Sequence, residues 1–182
     1  GAGWLPLSDD WDGDGRATVG LYNPATSLFY LRNSATTGPA DVTVAFGPAG
    51  GAWTPFVGDW DGDGVATIGL YDPASSHFYL RNSNTGGFAN LTFGFGMPGA
   101  GWIPVAGDWN GDGIDSVGLY SPGTSLFYLR NANSMGPSHV TFGFGAPLGW
   151  IPLVGDWNHD RSDSIGLYDP ATSIYYERNA LS

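Results

Sequence analysis

The sequence predicts an all-β fold that consists of four tandem, four-stranded repeats of about 49 residues. The first observation is a fixed period: Trp4, Trp53, Trp102 and Trp150 each open a Gly/Ala-Trp-x-Pro phrase, at steps of 49, 49 and 48 residues. The second is the composition: 30 glycines, 13 prolines and 15% aromatic residues favour tight turns and strands over helices. The third is that strand-like runs alternate with turn signals about every 8–12 residues, which is typical of sandwiches, barrels and propellers.

The period divides residues 1–182, expected to form a single repeat domain, into repeat 1 (1–49), repeat 2 (50–98), repeat 3 (99–146) and repeat 4 (147–182). In repeat 2 the first three strands are predicted at 53–57, 67–71 and 77–82, and the fourth at 91–95. Four strands in a period of 40–50 residues are typical of a propeller blade. We therefore expect a β-propeller-like arrangement, in a small or incomplete ring.

Repeat 4 ends before a fourth strand, because the equivalents of 42–46, 91–95 and 140–144 have no counterpart after residue 178. A sheet edge without a partner is a liability that proteins usually cover. Either the last blade is short, which we favour for a lone domain, or another chain supplies the strand. The second alternative predicts homo-assembly by strand completion.

An acidic loop, numbered here from its first aspartate as position 1, follows the first strand of every repeat. Carboxylate or amide oxygens stand at positions 1, 3 and 5, and glycine at position 6 of loops 1 to 3 permits a sharp turn. The carbonyl of position 7 and a hydroxyl at position 9 add two more oxygens. Such hard ligands suit Ca²⁺ better than zinc or copper, so calcium is the predicted cofactor. The predicted ligands are Asp10, Asp12, Asp14, Arg16 (carbonyl) and Thr18; Asp59, Asp61, Asp63, Val65 (carbonyl) and Thr67; Asp108, Asn110, Asp112, Ile114 (carbonyl) and Ser116; and Asp156, Asn158, Asp160, Ser162 (carbonyl) and Ser164.

The loops are not EF-hands, because position 12 is leucine in every repeat and strands flank the loop. With few charged ligands we expect dissociation constants of roughly 10⁻⁴–10⁻³ M, as in extracellular modules. In loop 4 Arg161 replaces the glycine of position 6, which makes this the weakest site.

The phrase from Phe46-Gly47 through Trp53 to Tyr71 resembles the FG-GAP/VCBS-type repeats of bacterial secreted and surface proteins and, more distantly, of integrin alpha chains. The resemblance covers nearly the whole chain. It implies blades whose aspartate-rich loop binds Ca²⁺ through positions 1, 3, 5, 7 and 9, and an extracellular, secreted or cell-surface, bacterial protein. Members of the family often have seven blades, so four repeats leave open a closed ring, a dimeric ring or an open arc.

The repeated aromatic residues are expected mainly in the core between blades. A lectin-like alternative gives Trp4, Trp53, Trp102 and Trp150 to sugar stacking. The arginines at 32, 81, 130 and 178 are expected to pair with a carboxylate or carbonyl of a neighbouring repeat, or else to hold an acidic ligand.

A net charge of −11 argues against nucleic acid as a partner, and no apolar run is long enough for membrane insertion. No nucleophile motif occurs and the three histidines stand at unrelated repeat positions, so we expect no enzyme. The expected function is that of a calcium-stabilised structural, adhesion or self-assembling module. Its expected partners are calcium ions and either glycans or other proteins.

Overall fold

The computed structural model describes residues 3–147 and 149–181, and these residues form four antiparallel sheets and no helix. The first three sheets have four strands each, and the fourth has three. Within each sheet the strands follow chain order, so every sheet is a meander of consecutive hairpins. The predicted fold class, all-β with tandem sheets of the propeller-blade type, is confirmed.

The strands begin and end within two residues of the predicted positions. Repeat 1 contains β1 (Leu5–Asp9), β2 (Thr18–Asn23), β3 (Leu28–Leu31) and β4 (Val42–Ala45). Repeat 2 contains β5 (Thr54–Gly58), β6 (Thr67–Asp72), β7 (His77–Leu80) and β8 (Leu91–Gly94). Repeat 3 contains β9 (Ile103–Gly107), β10 (Ser116–Ser121), β11 (Leu126–Leu129) and β12 (Val140–Gly143). Repeat 4 contains β13 (Ile151–Gly155), β14 (Ser164–Asp169) and β15 (Ile174–Arg178).

The third strand of each repeat shows the period of two that fixes which side chains enter the core. In β3, Phe29 and Leu31 are fully buried, whereas Tyr30 points to the other face and is only half-buried. The register pairs Tyr22 with Phe29, and their rings lie 4.5 Å apart between centroids. Burial of each large apolar side chain contributes about 1.5–3 kcal/mol, so this face dominates the stability of the sheet.

The fourth strand covers the third strand in the repeats that have one. Phe93 stacks on Phe78 at 5.6 Å between ring centroids, and Phe142 stacks on Phe127 at 5.5 Å. In the three-stranded sheet of repeat 4 the equivalent of Phe127 is Tyr175, which is 63% exposed. Completion of this sheet by another chain stays a prediction.

Contacts group the chain into two compact units: Gly1–Asp72 with His77–Phe93, and Pro73–Ser76 with Gly94–Ser182. The core of the first unit combines Tyr22 and Phe29 of repeat 1 with Ile68 and Leu70 of repeat 2. The predicted single domain over residues 1–182 therefore stays a prediction.

In the second unit the same pattern recurs. The core combines Tyr120 and Phe127 of repeat 3 with Ile165 and Leu167 of repeat 4. In both units, therefore, the third-strand face of one repeat packs on the second strand of the next. Among the described residues, no helix has the length and hydrophobicity needed to cross a membrane.

Candidate metal centre

The aspartate at position 1 organises each acidic loop through hydrogen bonds to the backbone. In loop 1 the Gly13 and Asp14 N–H groups donate to Asp10 Oδ1 at 2.8 and 3.2 Å, and the Gly15 N–H donates to Asp10 Oδ2 at 2.7 Å. Asp59 accepts the equivalent three bonds in loop 2, and Asp108 does so in loop 3. Both oxygens of this side chain therefore hold the loop closed around one point.

Positions 4 and 6 both require a left-handed backbone. Gly13 and Gly15 have φ of 75° and 83°, a region that glycine adopts without a steric penalty. Loop 4 keeps the same conformation without glycine, since His159 and Arg161 have φ of 60° and 74°. The Arg161 N–H still donates to Asp156 Oδ2 at 2.9 Å, so loop 4 retains the shape of the others at a cost in backbone strain.

Position 5 accepts a bond from the backbone two residues later. The Arg16 N–H donates to Asp14 Oδ1 at 2.9 Å, and the Val65 N–H donates to Asp63 Oδ1 at the same distance. Loops 3 and 4 repeat this bond through Ile114 and Ser162. These amides orient the position-7 peptide, while its carbonyl as a ligand stays a prediction.

The first two loops each gather three carboxylates. One oxygen each from Asp10, Asp12 and Asp14 lies within 4.8 Å of the others, and Asp59, Asp61 and Asp63 form the same cluster. The side chains at positions 3 and 5 are exposed, so an ion can enter from solvent. Three oxygens at this spacing can hold a metal ion.

Loops 3 and 4 carry asparagine at position 3 and so have two carboxylates each. The Asn110 side-chain amide donates to Asp112 Oδ2 at 2.9 Å, and Asn158 donates to Asp160 Oδ2 at 2.9 Å. In these two loops an amide N–H group therefore lies beside the position-5 carboxylate, at the place where the cation is predicted to bind. Metal binding there requires the amide to turn its oxygen toward the ion.

The charged form is favoured on the position-1 side chains of loops 1 and 4. Partial burial acts to raise the pKa of Asp10, but the bonds from Gly15, Gly13, Asp12 and Asp14 outweigh it, and the pKa lies below its usual value. The pKa of Asp156 is lowered in the same way: burial opposes the shift, while the amides of loop 4 and the nearby His159 drive it. Asp10 and Asp156 are thus held as carboxylates at neutral pH.

The position-9 hydroxyls lie inside the sheet. Thr67 Oγ1 donates to the Arg81 carbonyl at 2.7 Å, and Ser116 Oγ donates to the Arg130 carbonyl at 2.6 Å. Thr18 donates to the equivalent carbonyl in repeat 1, and Ser164 donates to the Gly155 carbonyl at 3.3 Å. Each of these hydroxyl hydrogens is committed to the backbone, which gives position 9 a structural role. Its predicted role as a calcium ligand remains untested.

Backbone bonds tie the loops of neighbouring repeats together within each unit. The Ala66 N–H of loop 2 donates to the Asp10 carbonyl of loop 1 at 2.8 Å, and the Asp163 N–H of loop 4 donates to the Asp108 carbonyl of loop 3 at 2.7 Å. The Asp163 carboxylate also accepts the Asp108 N–H at 2.9 Å. Burial raises the pKa of Asp163, and the charges of Asp108 and Asp156 raise it further, against the opposing effect of that N–H bond.

Two residues that the sequence analysis did not single out support position 8. The Asn84 side-chain amide donates to the Ala66 carbonyl at 2.9 Å, and Asn133 donates to the Asp115 carbonyl at 2.7 Å. The signal for them is the Arg-Asn-x-Asn phrase that closes the third strand in repeats 2 and 3. Repeat 1 has Ala35 at this place.

The four tryptophans proposed for sugar stacking each lie against a tyrosine of the third strand. Trp4 stacks on Tyr30 at 5.1 Å between ring centroids. The other pairs, at 4.6–4.8 Å, are Trp53 with Tyr79, Trp102 with Tyr128, and Trp150 with Tyr176. One face of every indole is thus covered from within its own repeat. All four side chains are half-buried, and sugar binding by them remains untested.

The arginines were predicted to hydrogen-bond to a carboxylate or carbonyl of a neighbouring repeat, and this prediction is wrong. Arg32 donates to the Pro39 carbonyl, and Arg130 donates to the Ser134 hydroxyl at 3.1 Å, so each arginine closes the loop after its own third strand. Contact with a neighbouring repeat is made through a ring instead. The Arg130 guanidinium lies 5.7 Å from the centroid of Phe95.

Comparisons of this chain with protein-family models, with curated proteins and with solved structures find no match. The likeness to FG-GAP/VCBS-type repeats therefore stays a prediction from the repeated motif.

Proposed function

We propose that the chain is a calcium-stabilised extracellular repeat module with a structural or adhesive role and no catalytic activity. The observation that carries the proposal is the pair of three-carboxylate clusters, which stand at the same place in two successive repeats. Like charges at this spacing repel one another, and a divalent cation removes that repulsion. The ligands are carboxylate oxygens in loops, and two of the three in each cluster belong to exposed side chains. Such ligands suit the large and variable coordination shell of Ca²⁺.

The position of the loops supports a structural role for the ion. Each loop joins the first two strands of its repeat, and the Asp10 carbonyl accepts the Ala66 N–H of the next loop. An ion held at loop 1 therefore stabilises both a hairpin and the junction between two repeats. In the second unit the same junction is made between Asp108 and Asp163.

The expected affinity favours a location outside the cell. Each cluster has three carboxylates and lacks a bidentate glutamate at position 12, so roughly millimolar to tenth-millimolar dissociation constants are expected. Such sites fill where calcium is abundant. The acidic composition, with a net charge of −11, adds a general attraction for cations.

The test is thermal unfolding in chelator and in about 10 mM calcium. At the expected affinities each filled site adds about 1.4–2.7 kcal/mol, and the two three-carboxylate clusters together add about 3–5 kcal/mol. For a chain of this size the melting temperature then rises by about 6–20 °C. Equal melting temperatures in the two buffers would show that the loops need no ion.

A matched pair of double variants separates metal binding from loop shape. Asp12→Ala with Asp61→Ala removes position-3 carboxylates, whereas the backbone bonds that close the loop go to position 1, so stability in chelator is expected to hold or rise while the calcium effect is lost. Asp10→Ala with Asp59→Ala removes the acceptors of three loop amides each, so stability falls in both buffers. An unchanged calcium response in the first variant would sink the proposal.

A further inference from the structure

Repeat 1 has a cavity on a face that is covered in the other repeats. Val19 and Leu21 of β2 are 59% and 41% exposed. Their equivalents are fully buried, namely Ile68, Leu70, Val117, Leu119, Ile165 and Leu167. Over the exposed pair lies a cavity of about 240 Å³, whose wall also includes Trp4, Tyr30 and Arg32. The first position is valine or isoleucine and the second is leucine in every repeat, so the difference in exposure comes from what lies over the face.

Part of the cover in the other repeats is a Phe-Gly pair that follows the preceding fourth strand, beside the third-strand face of the preceding repeat. Gly47 lies against Leu70 and approaches Trp53 Cε3, and a side chain built at Gly47 would overlap Leu70 Cδ1 and come within 3.4 Å of that indole. Gly96 lies in the same way against Leu119 and Trp102. The third example is Gly145 against Leu167 and Trp150.

In repeats 3 and 4 the arginine of the covered repeat lies over the phenylalanine of the pair. The Arg130 guanidinium lies 5.7 Å from the Phe95 ring centroid, and Arg178 lies 5.8 Å from that of Phe144. A cation at this distance over a ring is attracted to it. In repeat 1 the equivalent guanidinium is Arg32, which lines the cavity.

We propose that the cavity of Trp4, Leu21, Tyr30 and Arg32 binds the Phe-Gly end of an extended segment from another polypeptide, namely the fourth strand of a repeat of this type. Three such segments are seated on matching surfaces within this chain, so the chain itself shows the chemistry of the occupant. Gly47, Gly96 and Gly145 each lie against a repeat of their own chain, so none of these three segments is the occupant that we propose. The peptide segment is a protein partner for the proposed repeat module. This inference rests on the proposed function only for the idea that the chain binds other proteins.

Glycine in the segment supplies specificity. Gly47, Gly96 and Gly145 have φ of 86°, 98° and 83°, and all three lie where a Cβ would meet leucine and tryptophan. An alanine at this place suffers both a strained backbone and a steric collision. A surface that only collected apolar groups would tolerate the extra methyl group.

The test uses the intact protein and a fluorescent peptide with the sequence of residues 138–147, SHVTFGFGAP, read by fluorescence anisotropy. Binding is expected, and it weakens about tenfold or more when the glycine equivalent to Gly145 becomes alanine or the phenylalanine equivalent to Phe144 becomes alanine. Leu21→Asp in the protein has the same effect. Leu5→Asp is the matched control, because Leu5 is also exposed but lies on the opposite face of the sheet, and it leaves binding unchanged.

Both variants change exposed leucines, so circular dichroism is expected to show unchanged folding. Absence of peptide binding up to millimolar concentration overturns the inference, as does equal binding to wild type and Leu21→Asp. Loss of binding only in Tyr175→Asp overturns it too, since the peptide then pairs with the edge of repeat 4. A cavity that binds sugars on a glycan array through Leu21 but not the peptide is a sugar site, and the inference is then wrong.

The measurement is made in chelator and in calcium so that its failure is separable from that of the proposed function. Peptide binding in both buffers supports the inference whether or not calcium raises the melting temperature. A calcium-dependent melting temperature without peptide binding leaves the calcium module standing and removes this partner.

Discussion

The same leucine in two repeats offers an internally controlled test of the packing. Leu70 in β6 is fully buried and lies under Gly47, whereas Leu21 in β2 is 41% exposed. Leu70→Ala leaves an enclosed cavity and is expected to cost about 3 kcal/mol, within the usual range of about 2–5 kcal/mol. Leu21→Ala removes the same atoms from a half-open face, so the transfer free energy is about halved and no closed cavity forms, which gives about 1 kcal/mol.

The assay is thermal unfolding by circular dichroism in chelator, so that ion binding does not contribute. At about 2–4 °C per kcal/mol for a chain of this size, Leu70→Ala lowers the melting temperature by about 6–12 °C and Leu21→Ala by about 2–4 °C. Equal losses would refute the reasoning, because they would mean that the two leucines are equally covered in solution. The cavity on repeat 1 would then not exist.

Three further positions in the turns and loops allow a test by substitution. Gly47→Ala and Gly50→Ala both place alanine at positive φ, but only Gly47 faces a side chain. In urea unfolding, Gly47→Ala is therefore expected to lower the free energy of unfolding by about 1–3 kcal/mol more than Gly50→Ala does. Equal losses would contradict this. Arg161→Gly removes a positive charge from loop 4 and enlarges the calcium-dependent rise in melting temperature by about the effect of one site, whereas the control Arg161→Lys does not. The pKa of Asp169 is lowered, first by the Thr172 hydroxyl that donates to it at 2.6 Å. The stabilisation of the fold by this carboxylate is therefore present at neutral pH and is lost as the pH falls through the folded-state pKa. Asp169→Asn is expected to lose less stability than wild type between pH 7 and the acid range below about pH 4.

The strands and loops could be predicted from sequence because each signal occurs four times. A single acidic loop of this kind or a single Leu-Tyr pair is weak evidence, but four of each in register fix the period and the strand limits to within two residues. The glycines of loops 1 to 3 likewise predict a turn, and they do have positive φ. Local chemistry and repetition were sufficient for these features.

Exposure could not be predicted in this way, because it depends on what lies against a face. Val19 and Ile68 are similar in size and shape and stand at the same repeat position, yet one is 59% exposed and the other fully buried. The partners of the arginines were missed for a related reason. Arg32 reaches a carbonyl seven residues ahead in its own loop, and no spacing rule distinguishes that carbonyl from one in a neighbouring repeat.

The aspartates within one loop also divide into two kinds that their sequence does not distinguish. Asp59 accepts bonds from the backbone of positions 4, 5 and 6, whereas Asp61 is exposed and belongs to the carboxylate cluster. The loop is therefore held in its curved shape by position 1 before any ion binds. Unlike a site whose ligands meet only on metal binding, such a loop needs no folding to accept calcium. Because the ion then adds stability to a chain that is already folded, removal of calcium is expected to lower the melting temperature without unfolding the protein at room temperature.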